Sequence, residues 1–247
     1  MNDSVIIPAM RRRPPDRLDQ VMTAALRVFG EKGYRQTQMG DVAREMGVSP
    51  GTLYNYVTGK EALFHLVVDR AFARGEASAA PALPIPPPPP GATLARLRER
   101  LTADASLAPL DAALRRTRVS DARTELEAVV RELYERIERA WPGIIVLERS
   151  ALEMPELAHV FYAEMRRGLL DRLERYLSAR MRAGQLRRIP AAAAARFVLE
   201  NVAWFAMHRH RDPLPSSIDD HTAREAATDL IVNALAATGP RHRTRKD

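Results

Sequence analysis

The chain has 247 residues, of which 46% are hydrophobic and 28% are charged, and it contains no cysteine. This length and composition predict a soluble globular protein with one large domain or two small ones. The absence of cysteine excludes a disulfide framework, a thiolate zinc site and a cysteine nucleophile. A long uncharged stretch at residues 77–95 holds seven prolines between Pro81 and Pro90, so it cannot be a membrane-spanning helix.

The net charge of +7 is concentrated at the two ends of the chain. Residues 1–75 carry 11 basic and 8 acidic side chains, and residues 241–247 carry 4 and 1. This distribution is compatible with a polyanionic partner, although many basic proteins share it. The basic triplet Arg11–Arg13 follows a short apolar run, the reverse of the order in a secretory signal. We therefore expect a cytoplasmic protein with no membrane partner.

Hydrophobic periodicity predicts a small helical domain at the N-terminus. Apolar residues from Leu18 to Phe29 recur at spacings of three and four, and Gly33 marks a helix stop. The predicted helices cover residues 16–32, 38–46, 50–57 and 59–75. They form a domain over residues 16–75 that follows a basic arm at residues 1–15.

Residues 76–92 are predicted to be a proline-rich linker, because the stretch PALPIPPPPPG favours extended polyproline geometry and is not expected to join a packed core. We favour a stiff connector over a ligand for proline-recognising modules.

Helical periodicity returns over residues 93–238, which are predicted to form a second helical domain before a basic tail at residues 239–247. One long helix is expected to end at Trp141-Pro142-Gly143, and others cover residues 155–183, 190–211 and 220–237. No stretch alternates apolar and polar residues over the length of a strand. The predicted fold class is all-α.

Residues 38–57 carry the pattern of a helix-turn-helix. Two helices that cross tightly need a small residue at their contact, which Ala43 supplies, and a turn residue that tolerates a left-handed conformation, which Gly47 supplies. Ser49 and Pro50 suit the N-cap and first position of the second helix. Residues 58–61 are predicted to form a capping box for the next helix.

The segment TQMGDVAREMGVSPGTLYNYVTGKEAL, residues 37–63, resembles the DNA-binding signature of the TetR (tetracycline-repressor) family. The resemblance is strong over residues 16–66, whereas the rest is similar only in being helical and of suitable length. It implies a homodimer that binds double-stranded operator DNA with palindromic symmetry and releases it when a small-molecule effector binds the C-terminal domain. The effector's identity is unknown.

The resemblance also implies roles for individual residues. Thr37, Tyr56 and Lys60 would hold backbone phosphates, and the start of the second helix would approach the base edges. The full set of predicted DNA-binding residues is Thr37, Gln38, Arg44, Ser49, Gly51, Thr52, Tyr54, Asn55, Tyr56 and Lys60. The chemistry agrees, because asparagine pairs with adenine and a threonine methyl group contacts that of thymine. Gly40 has no side chain for readout, which leaves Gln38 and Arg44 as substitutes from the preceding helix.

Two helices near the C-terminus have more apolar surface than one subunit easily buries. We predict that they form a four-helix bundle with a second copy of the chain, as in the family. The predicted interface residues are Phe197, Val198, Trp204, Phe205, Ala227, Leu230, Ile231 and Ala234.

An effector pocket is expected among the helices of residues 94–183. Its candidate lining residues, each of which is also compatible with a plain core position, are Tyr134, Trp141, Phe161, Tyr162 and Met165.

We expect no catalytic residue, no metal and no cofactor. His208 and His210 are two apart on a predicted helix and point to different faces, and Glu156 and His159 lack the partner motif of a di-iron site. Two alternatives remain open: a helical enzyme or carrier with a non-functional helix pair, and an interaction protein that uses the proline run. The basic ends are either DNA-contacting arms or solvated tails.

Overall fold

The computed structural model describes residues 16–72, 81–103, 106–214 and 217–237. The predicted basic arm, residues 76–80 of the linker and the basic tail lie outside these ranges. The α-helices are α1 (Asp16–Gln36), α2 (Met39–Glu45), α3 (Pro50–Leu53), α4 (Lys60–Ala71), α5 (Ala92–Ala103), α6 (Ala108–Leu114), α7 (Ala122–Ala151), α8 (Pro155–Ala158), α9 (Arg167–Arg182), α10 (Ala191–Ala206) and α11 (Asp220–Leu235). A π-helix (His159–Arg166) joins α8 to α9, and a 3₁₀-helix (His208–Arg211) follows α10.

The predicted all-α fold class is confirmed. Within the described ranges the extended backbone forms only two isolated β-bridges, between Val57 and Ile85 and between Leu186 and Ala236. None of the described helices is long and apolar enough to cross a membrane.

Helix α7 continues through the predicted stop at Trp141-Pro142-Gly143 and ends at Ala151, so that prediction was wrong. Pro142 removes one backbone hydrogen bond without ending the helix. Gly143 has a packing role, because a Cβ atom there would lie 2.5 Å from the Cβ of Ala71 and 3.1 Å from the ring of Phe72. The absence of a side chain therefore lets α7 pass directly against the end of α4.

The proline-rich segment packs on the N-terminal helices, contrary to the prediction that it cannot join a core. The amide of Ile85 donates to the carbonyl of Tyr56 at 2.8 Å, and the amide of Thr58 donates to the carbonyl of Ile85 at 3.0 Å. The side chains of Leu83 and Ile85 pack against the N-terminal hydrophobic core. Leucine and isoleucine provide apolar surface among the prolines, and Ile85 retains the amide that proline lacks.

The N-terminal helices share their core with the second half of α7. Val21, Phe29 and Leu63 belong to one buried cluster with Val146 and Leu147 of α7. A second cluster joins the first half of α7 to α6, α9, α10 and α11. Helix α7 therefore connects the two cores, and the helix-turn-helix does not sit on a separate hydrophobic unit.

A buried ion pair ties α9 to α6 and α7 in the second cluster. The guanidinium of Arg180 is fully buried and donates to the carboxylate of Glu125 at 2.7 Å and 3.1 Å. It also donates to the carbonyls of Ala113 and Arg116, both at 2.9 Å. These acceptors supply the partners that a buried charge needs.

The contact between α7 and α4 predicts an unfavourable effect of Gly143→Ala. We expect a net loss of about 1 to 2 kcal/mol of folding free energy, because overpacking costs more than the helix propensity that alanine gains. Gly168→Ala in α9 is the matched control, since nothing lies within 4 Å of its added Cβ. Urea titrations should show the control stabilised slightly. Equal stabilisation of both variants would contradict the close packing described at Gly143.

Candidate DNA-binding surface and ligand cavity

The turn between α2 and α3 has the geometry that the sequence predicts. Gly47 adopts φ +66°, and the amide of Val48 donates to the carbonyl of Ala43 at 2.9 Å. Ala43 and Leu53 are buried where the two helices meet the N-terminal core. Helix α3 is shorter than predicted, because the backbone after Leu53 forms a turn over residues 54–56. Helix α3 is therefore a short helix that is anchored by the buried Leu53 and is otherwise largely exposed.

Asp41 fixes the start of α2, a role that the sequence analysis did not identify. Its carboxylate accepts from the backbone amide of Gln38 at 3.0 Å, the ammonium of Lys32 at 2.9 Å and the guanidinium of Arg44 at 3.0 Å. Hydrogen bonding to Lys32, followed by that to the Gln38 amide, lowers the pKa of Asp41 to about 2. The ionised carboxylate therefore holds α1 and α2 together.

The predicted side-chain caps differ from those in the structure. Ser49 occupies the N-cap position of α3, but its hydroxyl pairs with the hydroxyl of Thr52 at 3.1 Å and makes no cap hydrogen bond to the backbone. The capping box predicted at residues 58–61 is wrong: Gly59 is the N-cap of α4, and the hydroxyl of Thr58 donates to the carbonyl of Ile85 at 3.2 Å.

Most of the predicted DNA-binding residues lie on the exposed surface of the helix-turn-helix. Tyr54 is 47% exposed. Gln38, Arg44, Ser49, Gly51 and Asn55 are also exposed, and Thr52 is half-buried. The beginning of α3 and the turn after it are therefore open to a partner.

The three residues predicted to hold phosphates have contacts within the chain. Thr37 is buried and its hydroxyl donates to the carbonyl of Gly33 at 2.7 Å. Tyr56 is 5% exposed, within the N-terminal core. The ammonium of Lys60 donates to the carbonyl of Arg35 at 3.1 Å and lies 4.6 Å from the centre of the Tyr34 ring. These side chains face the protein in the single chain, and their role toward backbone phosphates stays a prediction.

The end of α1 is held by side chains from the C-terminal half of the chain. Glu153 accepts from the amide of Arg35 at 3.2 Å and from the side chain of Gln36 at 2.9 Å. Arg149 donates to the carbonyl of Glu31, and Arg211 donates to the carbonyl of Gly30 at 3.2 Å. These bonds connect the base of the helix-turn-helix to α7 and to the segment after α10.

A cavity of about 420 Å³ lies between α5, α7, the π-helix, α9 and α10. Its apolar lining consists of Phe72, Leu101, Leu133, Ile137, Ala140, Ile144, Phe161, Met165, Leu169, Leu199, Ala203 and Met207. Phe72 belongs to the C-terminal end of α4, so the cavity reaches the N-terminal helices.

Two of the five predicted pocket residues, Phe161 and Met165, line this cavity. Tyr134 is fully buried elsewhere and its hydroxyl donates to the carbonyl of Phe205 at 3.2 Å. Trp141 stacks on His210 with 5.2 Å between ring centres. Tyr162 is 41% exposed and lines a separate, more polar cleft. Helical periodicity identified apolar faces but could not show which face surrounds empty space.

Charged groups line part of the cavity. They are Arg98, Arg136, Glu148, Glu164, Arg166 and Arg172. Arg98 donates both ends of its guanidinium to Glu164 at 2.9 to 3.1 Å. Burial raises the pKa of Glu148, which lies 3.7 Å from Arg166. A mainly apolar cavity with a few charged groups is typical of small-molecule sites.

The π-helix forms one wall of the cavity and supplies Phe161, Glu164, Met165 and Arg166 to its lining. A π-helix has hydrogen bonds between residues five apart, where an α-helix has them between residues four apart, and such segments occur frequently at functional sites. The predicted helix over residues 155–183 is therefore interrupted where it meets the cavity.

The predicted dimer residues separate into two groups. Val198, Ala227 and Ile231 are buried in the core of the single chain, so their assignment to an interface is corrected. Phe197, Trp204 and Leu230 are 38%, 39% and 55% exposed, and Phe205 and Ala234 are half-buried. The exposed residues of α10 and α11 form an apolar surface, which we call the α10–α11 face.

Across the part of the chain that the structure describes, no three histidine, aspartate or glutamate side chains are grouped to hold a metal. His210 stacks on Trp141, and the imidazole of His159 lies 3.6 Å from Glu164.

Two family models match the chain. The model described as "Bacterial regulatory proteins, tetR family" matches residues 21–67, which contain the helix-turn-helix. The model described as "AefR-like transcriptional repressor, C-terminal domain" matches residues 145–237. Together the matches cover more than half of the 247 residues.

Curated relatives match over about a fifth of the chain. The HTH-type transcriptional regulator UidR of Escherichia coli K12 is 34% identical over 59 residues, which are 22% of this chain and 30% of UidR. The fatty acid metabolism regulator protein of Bacillus subtilis is 38% identical over 52 residues, 21% of this chain and 26% of that protein. The matched region thus spans less than a third of each relative.

Solved structures match over nearly the whole chain. The ketosteroid transcriptional regulator KstR2 of Mycobacterium tuberculosis is 14% identical with a TM-score of 0.56, covering 92% of this chain and 98% of KstR2. AibR in complex with isovaleryl coenzyme A and operator DNA is 18% identical with a TM-score of 0.52, covering 90% of this chain and all of AibR. At these identities the likeness establishes the fold.

The contacts of Asp41 predict that Asp41→Asn weakens the fold in a pH-dependent way. The folded pKa of about 2 lies below the ordinary value of 3.8, so the ionised group contributes stability above about pH 4 and loses it as the pH falls toward 2. We expect Asp41→Asn to cost about 1 to 2 kcal/mol at pH 7 and little at pH 2. Asp19→Asn is the control, since the Asp19 side chain is 70% exposed. A cost that does not change with pH, measured by urea unfolding, would refute this role.

Proposed function

The chain belongs to the TetR family of bacterial transcriptional regulators, and on this premise we propose that it is a repressor whose homodimer binds a palindromic operator until an effector fills the cavity. The observation that carries the proposal is the exposed surface of α3 and of the turn after it, where Gly51, Tyr54 and Asn55 are open to a partner. Glycine permits close approach of the backbone, and asparagine and tyrosine offer hydrogen-bonding groups to bases or phosphates.

A homodimer is required because one short helix contacts too few base pairs for specific recognition. Two copies related by a twofold axis would present two α3 helices to successive turns of the major groove. The α10–α11 face supports this assembly, since Phe197, Trp204 and Leu230 leave apolar surface exposed in the single chain.

The cavity is the proposed effector site because it touches the elements that carry the DNA-binding surface. Phe72 contributes to the cavity lining and also to the contact between α4 and Gly143. Ion pairs of α5 make a second connection between the cavity and α4. Arg98 of α5 pairs with Glu164 of the π-helix. Arg96 and Arg100 of α5 bind Asp69 of α4 at 2.5 Å and 3.0 Å. An effector that shifts either wall of the cavity would move α4, and with it the spacing of the two α3 helices.

Similar proteins support a repressor that binds both DNA and a small molecule. One family model describes repressors, and the solved AibR complex contains both operator DNA and isovaleryl coenzyme A. The alternative of a proline-run interaction protein is disfavoured, because Leu83 and Ile85 of that run pack on the chain's own N-terminal core. The alternative of a helical enzyme or carrier does not explain why Tyr54 and Asn55 are exposed.

Substitutions in the turn after α3 should weaken operator binding without unfolding the protein. We expect Tyr54→Ala and Asn55→Ala each to weaken binding to the DNA upstream of the chain's own gene by about tenfold or more, because each removes one contact group. Tyr162→Ala is the matched control, a tyrosine of similar exposure far along the chain in the π-helix. Gel retardation measures the change, and equal binding by all three variants would refute the assigned surface.

Charge placed on the α10–α11 face should separate the subunits. Trp204→Glu combined with Leu230→Glu is expected to give a monomer at micromolar concentration in analytical ultracentrifugation, since buried unpaired charges oppose association. Leu152→Glu, at a position 70% exposed outside this face, should leave the dimer intact. If the unmodified chain is itself a monomer, the proposed assembly is wrong.

A further inference from the structure

We propose that the cavity binds an amphipathic anion, a molecule with an aliphatic chain and one anionic head group. The inference rests on the proposed function for the regulatory role of the cavity, whereas the chemistry of the ligand follows from the lining itself. The two parts of the lining, apolar and cationic, recognise the two parts of such a molecule.

The apolar part is extensive enough for an aliphatic chain. Leu133, Ile137, Phe161 and Leu169 come from α7, the π-helix and α9 and face a shared space of about 420 Å³. This volume is within the range of small-molecule sites. Burial of a hydrocarbon chain there would remove apolar surface of both partners from water, which supplies the main favourable free energy.

The cationic part exceeds the anionic part in the lining, where four arginines face two glutamates. Arg166 and Arg172 pair with Glu200 and Asp111, carboxylates that do not belong to the lining. These pairs hold both guanidinium groups in place. A guanidinium has five N–H donors, so one that is ion-paired still presents donors to a second acceptor.

Two of the arginines are fixed to the same short stretch of chain. Arg136 donates to the carbonyl of Ser106 at 2.6 Å, and the hydroxyl of Ser106 donates to Asp111 at 3.1 Å. Asp111 in turn accepts from Arg172. Arg136 and Arg172 thus line the cavity and are tied to one segment, residues 106–111, and the proposal places the anionic head group at these two arginines.

The two glutamates of the lining do not favour a cationic ligand in the cavity, because both already lie beside arginines. Glu164 is already bound by both ends of the Arg98 guanidinium. Glu148 lies 3.7 Å from Arg166 on the side of the lining shared with the second cleft. A ligand amine would have to displace an arginine, whereas a ligand anion adds an acceptor to donors that are already positioned.

Ligands of one chain length and different head groups test the inference. Decanoate, decyl phosphate, decanamide and decylamine are titrated into the full-length protein by calorimetry. We expect decanoate or decyl phosphate to bind about tenfold tighter than decanamide, and decylamine to bind most weakly. Whichever anion binds more tightly identifies the head group. Equal or tighter binding of the amide or the amine, or no binding of any probe, overturns the inference.

Variants locate the head group. Arg136→Gln and Arg172→Gln should reduce the preference for the anion over decanamide to about threefold or less and leave decanamide binding unchanged. Arg131→Gln is the matched control, because Arg131 pairs with Glu225 and does not line the cavity. Should the arginine variants fail to fold, Leu169→Trp fills the apolar part and should abolish binding of all probes. Unchanged anion preference in folded variants contradicts the assignment.

Gel retardation of the ligand-free protein distinguishes this inference from the proposed function. A protein that retains its operator but shows no preference for anions refutes only the ligand class. A protein that binds decanoate but no genomic DNA refutes the proposed function and leaves the ligand class in place.

Discussion

The architecture depends on the close approach of α4 and α7 at Gly143. A side chain at this position would overlap with Ala71 and Phe72, so the two helices can pack at this distance only because the residue is glycine. The same contact brings Phe72 to the edge of the cavity. Protein interiors are packed closely enough to transmit small displacements as rearrangements of whole helices. The contact therefore links the cavity and the helix-turn-helix mechanically.

A second set of interactions surrounds the end of α1. Side chains of Arg149, Glu153 and Arg211 bind its backbone groups, while Lys60 from α4 binds the carbonyl of Arg35. Most of these bonds join a charged side chain to a backbone amide or carbonyl. Because Lys32 of α1 binds Asp41 of α2, these bonds form a continuous set of contacts from α7 through α1 to the helix-turn-helix. Packing at α4 and hydrogen bonding at α1 thus couple the two halves of the chain at separate points.

The sequence was sufficient for the local features of the fold and not for the contacts between distant segments. The turn at Gly47 and the helices around it follow from short-range spacing and backbone preferences, which operate within a few residues. Gly143 resembled a helix stop because its neighbour across the interface is 72 residues away in the chain and leaves no local signal. Thr37 and Lys60 were assigned to phosphates by family resemblance, and their actual contacts depend on how α1 ends. The cavity likewise depends on packing among five elements. Only two of the five residues predicted from periodicity therefore line it.

The proline-rich segment packs on the N-terminal helices and is therefore part of the smallest fragment that buries their hydrophobic core. Ile85 completes the hydrogen bonding of Tyr56 and Thr58, and Leu97 and Val146 fill the same core as α1 and α4. A fragment cut after α4 would expose these apolar surfaces to water and deprive the backbone groups that follow α3 of their partners in the proline-rich segment. The module that recognises DNA is therefore not autonomous, and transplanting it into another protein would require the proline-rich segment, α5 and part of α7 to travel with it.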